Sequence, residues 1–159
     1  MSSSPLSGWS RRELLAASGA TAVALAGLTL VSTAAMATPV ELEEAIGKLV
    51  GKAPVKEGRV NLRLPPIAED GDVVPLTVSV DSPMSDSDYV RKIHILAQEN
   101  PWPRVCSFAL GPQNGKAEVS TRIRLAKDQT VVAVAEMNDG SAYRMAVAVK
   151  VSVGGCGGI

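Results

Sequence analysis

The sequence predicts an all-β protein: an immunoglobulin-like antiparallel β-sandwich of about seven strands, with a short N-terminal helix and a flexible C-terminal Gly-Gly-Cys-Gly-Gly arm. Three observations carry that expectation. From Arg59 onward apolar and polar residues alternate with a period of two. Turn-forming clusters interrupt the alternation at intervals of roughly ten residues, the spacing of sandwich strands. No stretch between the strands is long enough for a crossover helix, so a parallel sheet is not expected.

The first element is an export address rather than part of the fold. After Arg11, Arg12 and Glu13 the chain carries no charge from Leu14 to Val40 and is rich in Ala, Leu, Val, Gly and Thr. The run ends in Ala35-Met36-Ala37, a small-x-small cleavage pattern, and the paired arginines before Leu14-Leu15 read as a twin-arginine export signal. Residues 1–37 are therefore expected to be removed. An uncleaved membrane anchor is the competing reading, but the many small residues make the run only mildly apolar.

Residues 38–153 form the expected domain. Thr38, Pro39 and Glu41 combine an N-cap, a proline at the first helical position and a glutamate three residues after the cap. Leu42, Ala45, Ile46 and Leu49 then make one apolar stripe, and Gly51 ends the helix. The expected strands run over 60–64, 76–80, 90–97, 104–110, 119–125, 131–135 and 145–153. Those over 76–80, 119–125 and 145–153 alternate cleanly, whereas Val131 to Ala135 is apolar on both faces, as in a central strand. Turns are expected at Glu69-Asp70-Gly71-Asp72, Asp81-Ser82-Pro83, Asn100-Pro101-Trp102-Pro103, Gly111 to Gly115, Lys127-Asp128-Gln129 and Asn138-Asp139-Gly140.

Composition removes several functions. Lys and Arg number 16 against 16 Asp and Glu, and aromatics are 3%, so neither a basic groove nor a stacking platform for nucleic acid is expected. Two cysteines and one histidine cannot build a four-ligand Cys/His zinc site or a haem attachment, and no cofactor site is visible.

The chemistry is expected at residues 154–159, Gly154-Gly155-Cys156-Gly157-Gly158-Ile159. Glycines on both sides of Cys156 remove every Cβ that could shield the thiol and make the segment costly to order. At up to ~3.6 Å per residue, the thiol reaches about 10 Å beyond Val153, far enough to enter a narrow channel. An exposed thiol in an oxidising compartment is prone to oxidation unless it has a use, and a covalent carrier arm is such a use. Nothing adjacent to Cys156 favours its thiolate, so activation is expected from a partner.

The terminal Gly154-Gly155-Cys156-Gly157-Gly158 resembles the signature tail of the SoxY family, the sulfur-carrier subunits of the bacterial thiosulfate-oxidising system. Val80-Asp81-Ser82-Pro83-Met84, Tyr89-Val90, Glu99-Asn100-Pro101, Ser120 to Ala126 and Val132 to Met137 also look like that family. The resemblance implies a periplasmic carrier, not itself an enzyme, paired with a SoxZ-like subunit. It further implies that a SoxAX-like haem enzyme joins thiosulfate to Cys156, a SoxB-like hydrolase releases sulfate, and the remaining sulfur is oxidised by a sulfane dehydrogenase or passed elsewhere. In that reading Cys156 is the covalent attachment site, and Gly154, Gly155, Gly157 and Gly158 supply mobility and clearance. No nucleic acid is expected as a partner, nor any membrane once the signal is cleaved.

Other residues have plainer expectations. Cys106 is read as a small buried residue in a strand, the alternative being a disulfide to Cys156. His94, between Ile93 and Ile95, is expected on the opposite face, at the surface or in a subunit contact. A lone histidine without a nucleophile turn makes a hydrolase a poor hypothesis. Arg122 and Arg124 read as a solvated sheet face, or as partners for an acidic surface or anionic substrate. Trp102 reads as a loop anchor or an interface residue. Asp86 and Asp88 lack the rest of a calcium loop. The rival function is an extracytoplasmic assembly module with Cys156 in an intermolecular disulfide; a thiol oxidoreductase acting alone is disfavoured because paired low-pKa cysteines are missing.

Overall fold

The computed structural model describes residues 39–154. The signal segment, the Thr38 cap and the residues Gly155, Cys156, Gly157 and Gly158 lie outside the described residues.

Helix α1 (Pro39–Val50) forms where the sequence places it, with Glu41 in the first turn and Lys48 in the last. Gly51 adopts φ 68° and donates its N–H to the Gly47 carbonyl at 2.8 Å, the left-handed stop that favours glycine. The helix buries Leu42 and Ile46, with Ala45 and Leu49 beside them, against Leu96, Val132 and Val134 of a sheet.

Nine strands follow among the described residues: β1 (Val55–Glu57), β2 (Val60–Arg63), β3 (Ile67–Ala68), β4 (Val74–Val80), β5 (Val90–Ala97), β6 (Arg104–Ala109), β7 (Glu118–Ile123), β8 (Gln129–Met137) and β9 (Ala142–Val151). The larger sheet has the order β1-β9-β8-β5-β6 with β3 also on β9, and the smaller has the order β2-β4-β7. All seven strands expected from the sequence are present. The two additional ones are β1 and β3, three and two residues long, too short to show a period. Both pair with β9 in parallel, whereas every ladder among the seven is antiparallel.

The main core lies between the sheets. Val74, Leu76, Val78 and Val80 of β4 face Ile93, Ile95 and Ala97 of β5 and Val131, Ala133 and Ala135 of β8. A second, smaller core lies under α1 on the other side of the larger sheet. This is why β8 is buried along nearly its whole length: its odd-numbered residues enter the sandwich, and Val132 and Val134 on the other face meet the helix. The same layering corrects the expectation for His94. It does project opposite Ile93 and Ile95, but that face is the helix-covered one, and His94 is only 3% exposed.

Candidate functional site

The described part of the C-terminal glycine-rich segment is its root. Strand β9 does not fray at its end: Lys150 and Ser152 donate backbone N–H groups to the Pro66 and Ala68 carbonyls at 3.0 and 2.9 Å. Val151 donates to the Asp128 carboxylate at 2.7 Å. The Val153 carbonyl accepts the Gly71 N–H at 2.7 Å, and Gly71 in turn accepts from Leu125 at 2.8 Å. The N–H groups of Lys150 and Ser152 and the Val153 carbonyl are thus satisfied beyond the end of the β8 ladder, so the chain is held up to the residue before the first glycine.

Gly154 has a steric role in this arrangement. A Cβ built there would run into the backbone carbonyl of Ala126, and backbone cannot move aside as a side chain does. The Ala126 loop is itself fixed by Asn100, a buried amide that donates to the Arg124 carbonyl at 2.8 Å and accepts from the Ala126 N–H at 3.1 Å. Gln129 donates to the same Asn100 oxygen at 3.0 Å and accepts from the Glu99 N–H at 2.9 Å. Two loops and the end of β9 thus form one hydrogen-bonded platform.

Beside the platform lies a cleft of about 480 Å³ between the edge strands β6 and β7, lined by Trp102, Arg104, Cys106, Arg122 and Arg124. Trp102 is 82% exposed, so it does not anchor its loop by burial; Asn100 does that. Arg122 and Arg124 share this cleft, and Arg124 approaches Asp72 at 3.8 Å. Cys106 lies in β6 as expected, half-buried, packed against the core and a free thiol. Burial pushes its pKa up, so it stays protonated and weakly nucleophilic near neutral pH. The Asp88 carboxylate is held by Arg59 at 3.0 and 3.1 Å. No group of three or more His, Cys, Asp or Glu among the described residues could hold a metal ion, and no described helix is long and apolar enough to cross a membrane.

Sequence reasoning missed a polar cluster under the end of α1. His94 Nε2 lies 2.6 Å from Glu136 Oε1, and His94 Nδ1 lies 2.6 Å from Ser107 Oγ. Arg91 donates to the other Glu136 oxygen at 2.8 Å, from a position where the β5–β8 register slips between Val90 and Lys92. Burial alone raises the Glu136 pKa, but the bonds from Arg91 and His94 outweigh it and hold the carboxyl below its ordinary value. A signal existed. The apolar stripe of α1 needs a sheet face, and Leu96, Val132 and Val134, the residues that supply it, share parity with His94 and Glu136.

The model of the family described as sulfur oxidation protein SoxY matches residues 46–156. The chain belongs to the SoxY family. The match ends on Cys156, so the cysteine of the terminal segment falls within it. The solved structure of the sulfur carrier protein SoxY from Chlorobium limicola f thiosulfatophilum is 34% identical, covers 73% of this chain and 100% of its own, and superposes with a TM-score of 0.62. Family and structure together make this a sulfur-oxidation carrier protein of the SoxY type. Superoxide reductase (neelaredoxin) from Ignicoccus hospitalis, 20% identical over 73% of this chain and 94% of its own with a TM-score of 0.53, shares the fold alone. No curated protein sequence matches the chain.

Proposed function

We propose that this SoxY-family chain is a periplasmic covalent carrier of sulfur intermediates in thiosulfate oxidation, with the intermediates attached to the Cys156 thiol. The observation that carries the proposal is the hydrogen-bonded root: β9 is held as far as Val153, directly before a segment whose only functional side chain is Cys156. A rigid base with glycines beyond it presents one thiol to several separate active sites.

In this reading residues 1–37 are a twin-arginine export signal, 38–153 the folded domain and 154–159 the arm, and a SoxZ-like subunit is the structural partner. A SoxAX-like haem enzyme forms the bond between Cys156 Sγ and the outer sulfur of thiosulfate; the thiol loses its proton and two electrons pass to the haem enzyme. A SoxB-like hydrolase then adds water across the terminal sulfur–sulfur bond, releasing sulfate and leaving a persulfide on Cys156. A sulfane dehydrogenase oxidises that sulfur further. The chain itself supplies attachment, reach and clearance, and a sulfur–sulfur link is stable enough to carry yet cleavable by exchange.

Intact mass spectrometry of the protein purified from the periplasm with its partner tests this directly. Sulfur, polysulfide or thiosulfate increments are expected that vanish with reductant and in Cys156→Ser, while Cys156→Ser keeps its pairing with the SoxZ-like subunit. A bare thiol after exposure to thiosulfate and the haem enzyme, or only a disulfide to another chain, would transfer the reading to a disulfide-linked assembly module.

A further inference from the structure

The Ser107, His94 and Glu136 cluster is not used by the carrier function, yet it has the parts of a nucleophilic site. Ser107 is an exposed residue, while His94 and Glu136 are 3% and 6% exposed. The two 2.6 Å contacts put an imidazole between a hydroxyl and a carboxylate. With the Nε2 proton given to the Glu136 carboxylate, Nδ1 is left as an acceptor for the Ser107 hydroxyl. A nucleophile, a base and a group that orients the base then stand in line.

Donors for a developing oxyanion are also at hand. β6 is the outermost strand of its sheet, with a partner on the β5 side only. The Leu110 N–H points to the Arg91 carbonyl of that neighbour, so by antiparallel alternation the Ser107 N–H points to the open edge. Lys92 and Arg104 line the adjoining cleft, about 380 Å³ in volume, and Lys48 reaches it from α1, where it also pairs with Glu44. The one carboxylate in the lining, Glu136, is already bonded by Arg91 and His94.

We infer that Ser107 is a base-activated nucleophile in an acyl-transfer site that takes small, negatively charged carboxylic esters. Ser107 Oγ attacks the ester carbonyl and its proton passes to His94 Nδ1. The proton moves on to the departing alkoxide as the ester C–O bond breaks, leaving an acyl-serine. Water then attacks the acyl-serine, gives its proton to His94, and the carboxylic acid leaves as Ser107 recovers its hydrogen. No electrons are transferred, and Cys156 takes no part, so this inference stands or falls independently of the carrier function.

The test uses the full chain with its partner subunit, carrying Cys156→Ser so that the arm thiol contributes nothing. A fluorophosphonate is expected to add one phosphonyl group, mapped to the Ser107 peptide, and mono-4-nitrophenyl succinate is expected to be hydrolysed in preference to 4-nitrophenyl acetate. Ser107→Ala abolishes both, His94→Gln slows both by about 100-fold, and Ser87→Ala, on a surface turn, changes neither. Lys92→Glu removes the preference for the anionic ester. Glu136→Gln slows both reactions, because His94 loses the carboxylate that fixes the orientation and tautomer of its ring. Far-UV circular dichroism keeps folding separate from reactivity. Absence of label at Ser107, or equal labelling in a folded His94→Gln protein, overturns the proposal.

Discussion

Glu136 illustrates how much one buried carboxylate controls. It accepts from Arg91 and His94 on its two oxygens, and its pKa is depressed because those bonds outweigh the effect of burial. A carboxylate held low in the folded state contributes stability that is present above its unfolded value near 4.5 and lost as pH falls through the folded value. Acid titration of the melting temperature should therefore drop more steeply below pH ~4.5 in the native protein than in Glu136→Gln. At neutral pH that substitution should cost about 1–3 kcal/mol, because the buried His94 imidazole and the exposed Arg91 guanidinium both lose a charged hydrogen-bond acceptor. Chemical denaturation of the two proteins measures it, and equal stability would mean that the cluster carries no net weight. Cys106 gives a contrast at the same scale. Its raised pKa predicts slow alkylation by iodoacetamide at pH 7, accelerating with alkaline pH, measurable in Cys156→Ser where it is the sole cysteine. Rapid modification at pH 7 would show that β6 opens.

Helix α1 and strand β9 are the elements that position everything else. The helix converts the outer face of the larger sheet into a second core, and with it turns His94 from a surface residue into a buried one. Here lies the limit of what the sequence shows. Alternation reports which face a residue takes, so Leu76 to Val80 and Met145 to Val153 could be read without a structure, as could the α1 stripe. It does not report which face a distant element covers, and the partners of His94 lie 13 and 42 residues away. β1 and β3 were invisible for a different reason: they exist because β9 offers its outer edge, and nothing within two or three residues encodes that. The root of the arm was half legible. Gly154 could be read as a source of freedom, but its contact with Ala126 belongs to a loop fixed by Asn100. Gly154→Ala is accordingly expected to destabilise the domain by about 1–3 kcal/mol, since backbone must shift to admit a methyl group. Hydrogen exchange should show the loss locally, at the Gly71 amide; unchanged protection there would mean that the methyl group is accommodated.

For the molecule as a whole, the two-sheet sandwich is shared with proteins of other chemistry, including the superoxide reductases, so the fold alone says little about activity. What marks this chain is the segment appended to the last strand. If clearance around Cys156 matters for entry into partner sites, Gly157→Val should leave melting temperature and pairing with the SoxZ-like subunit unchanged while slowing thiosulfate loading at least about tenfold, a change of about 1.4 kcal/mol in the barrier. Normal loading, followed by intact mass against time, would remove the need for glycine at that position. The anchored end of β9 carries a geometric corollary. With Val153 fixed by Gly71, the length of chain available to the thiol is set by three residues, about 10 Å when fully extended. In the proposed carrier reading the arm is therefore a depth gauge: it would admit only enzymes whose reacting centre lies within that distance of their own rim, and exclude any thiol-reactive site recessed more deeply, whatever its chemistry.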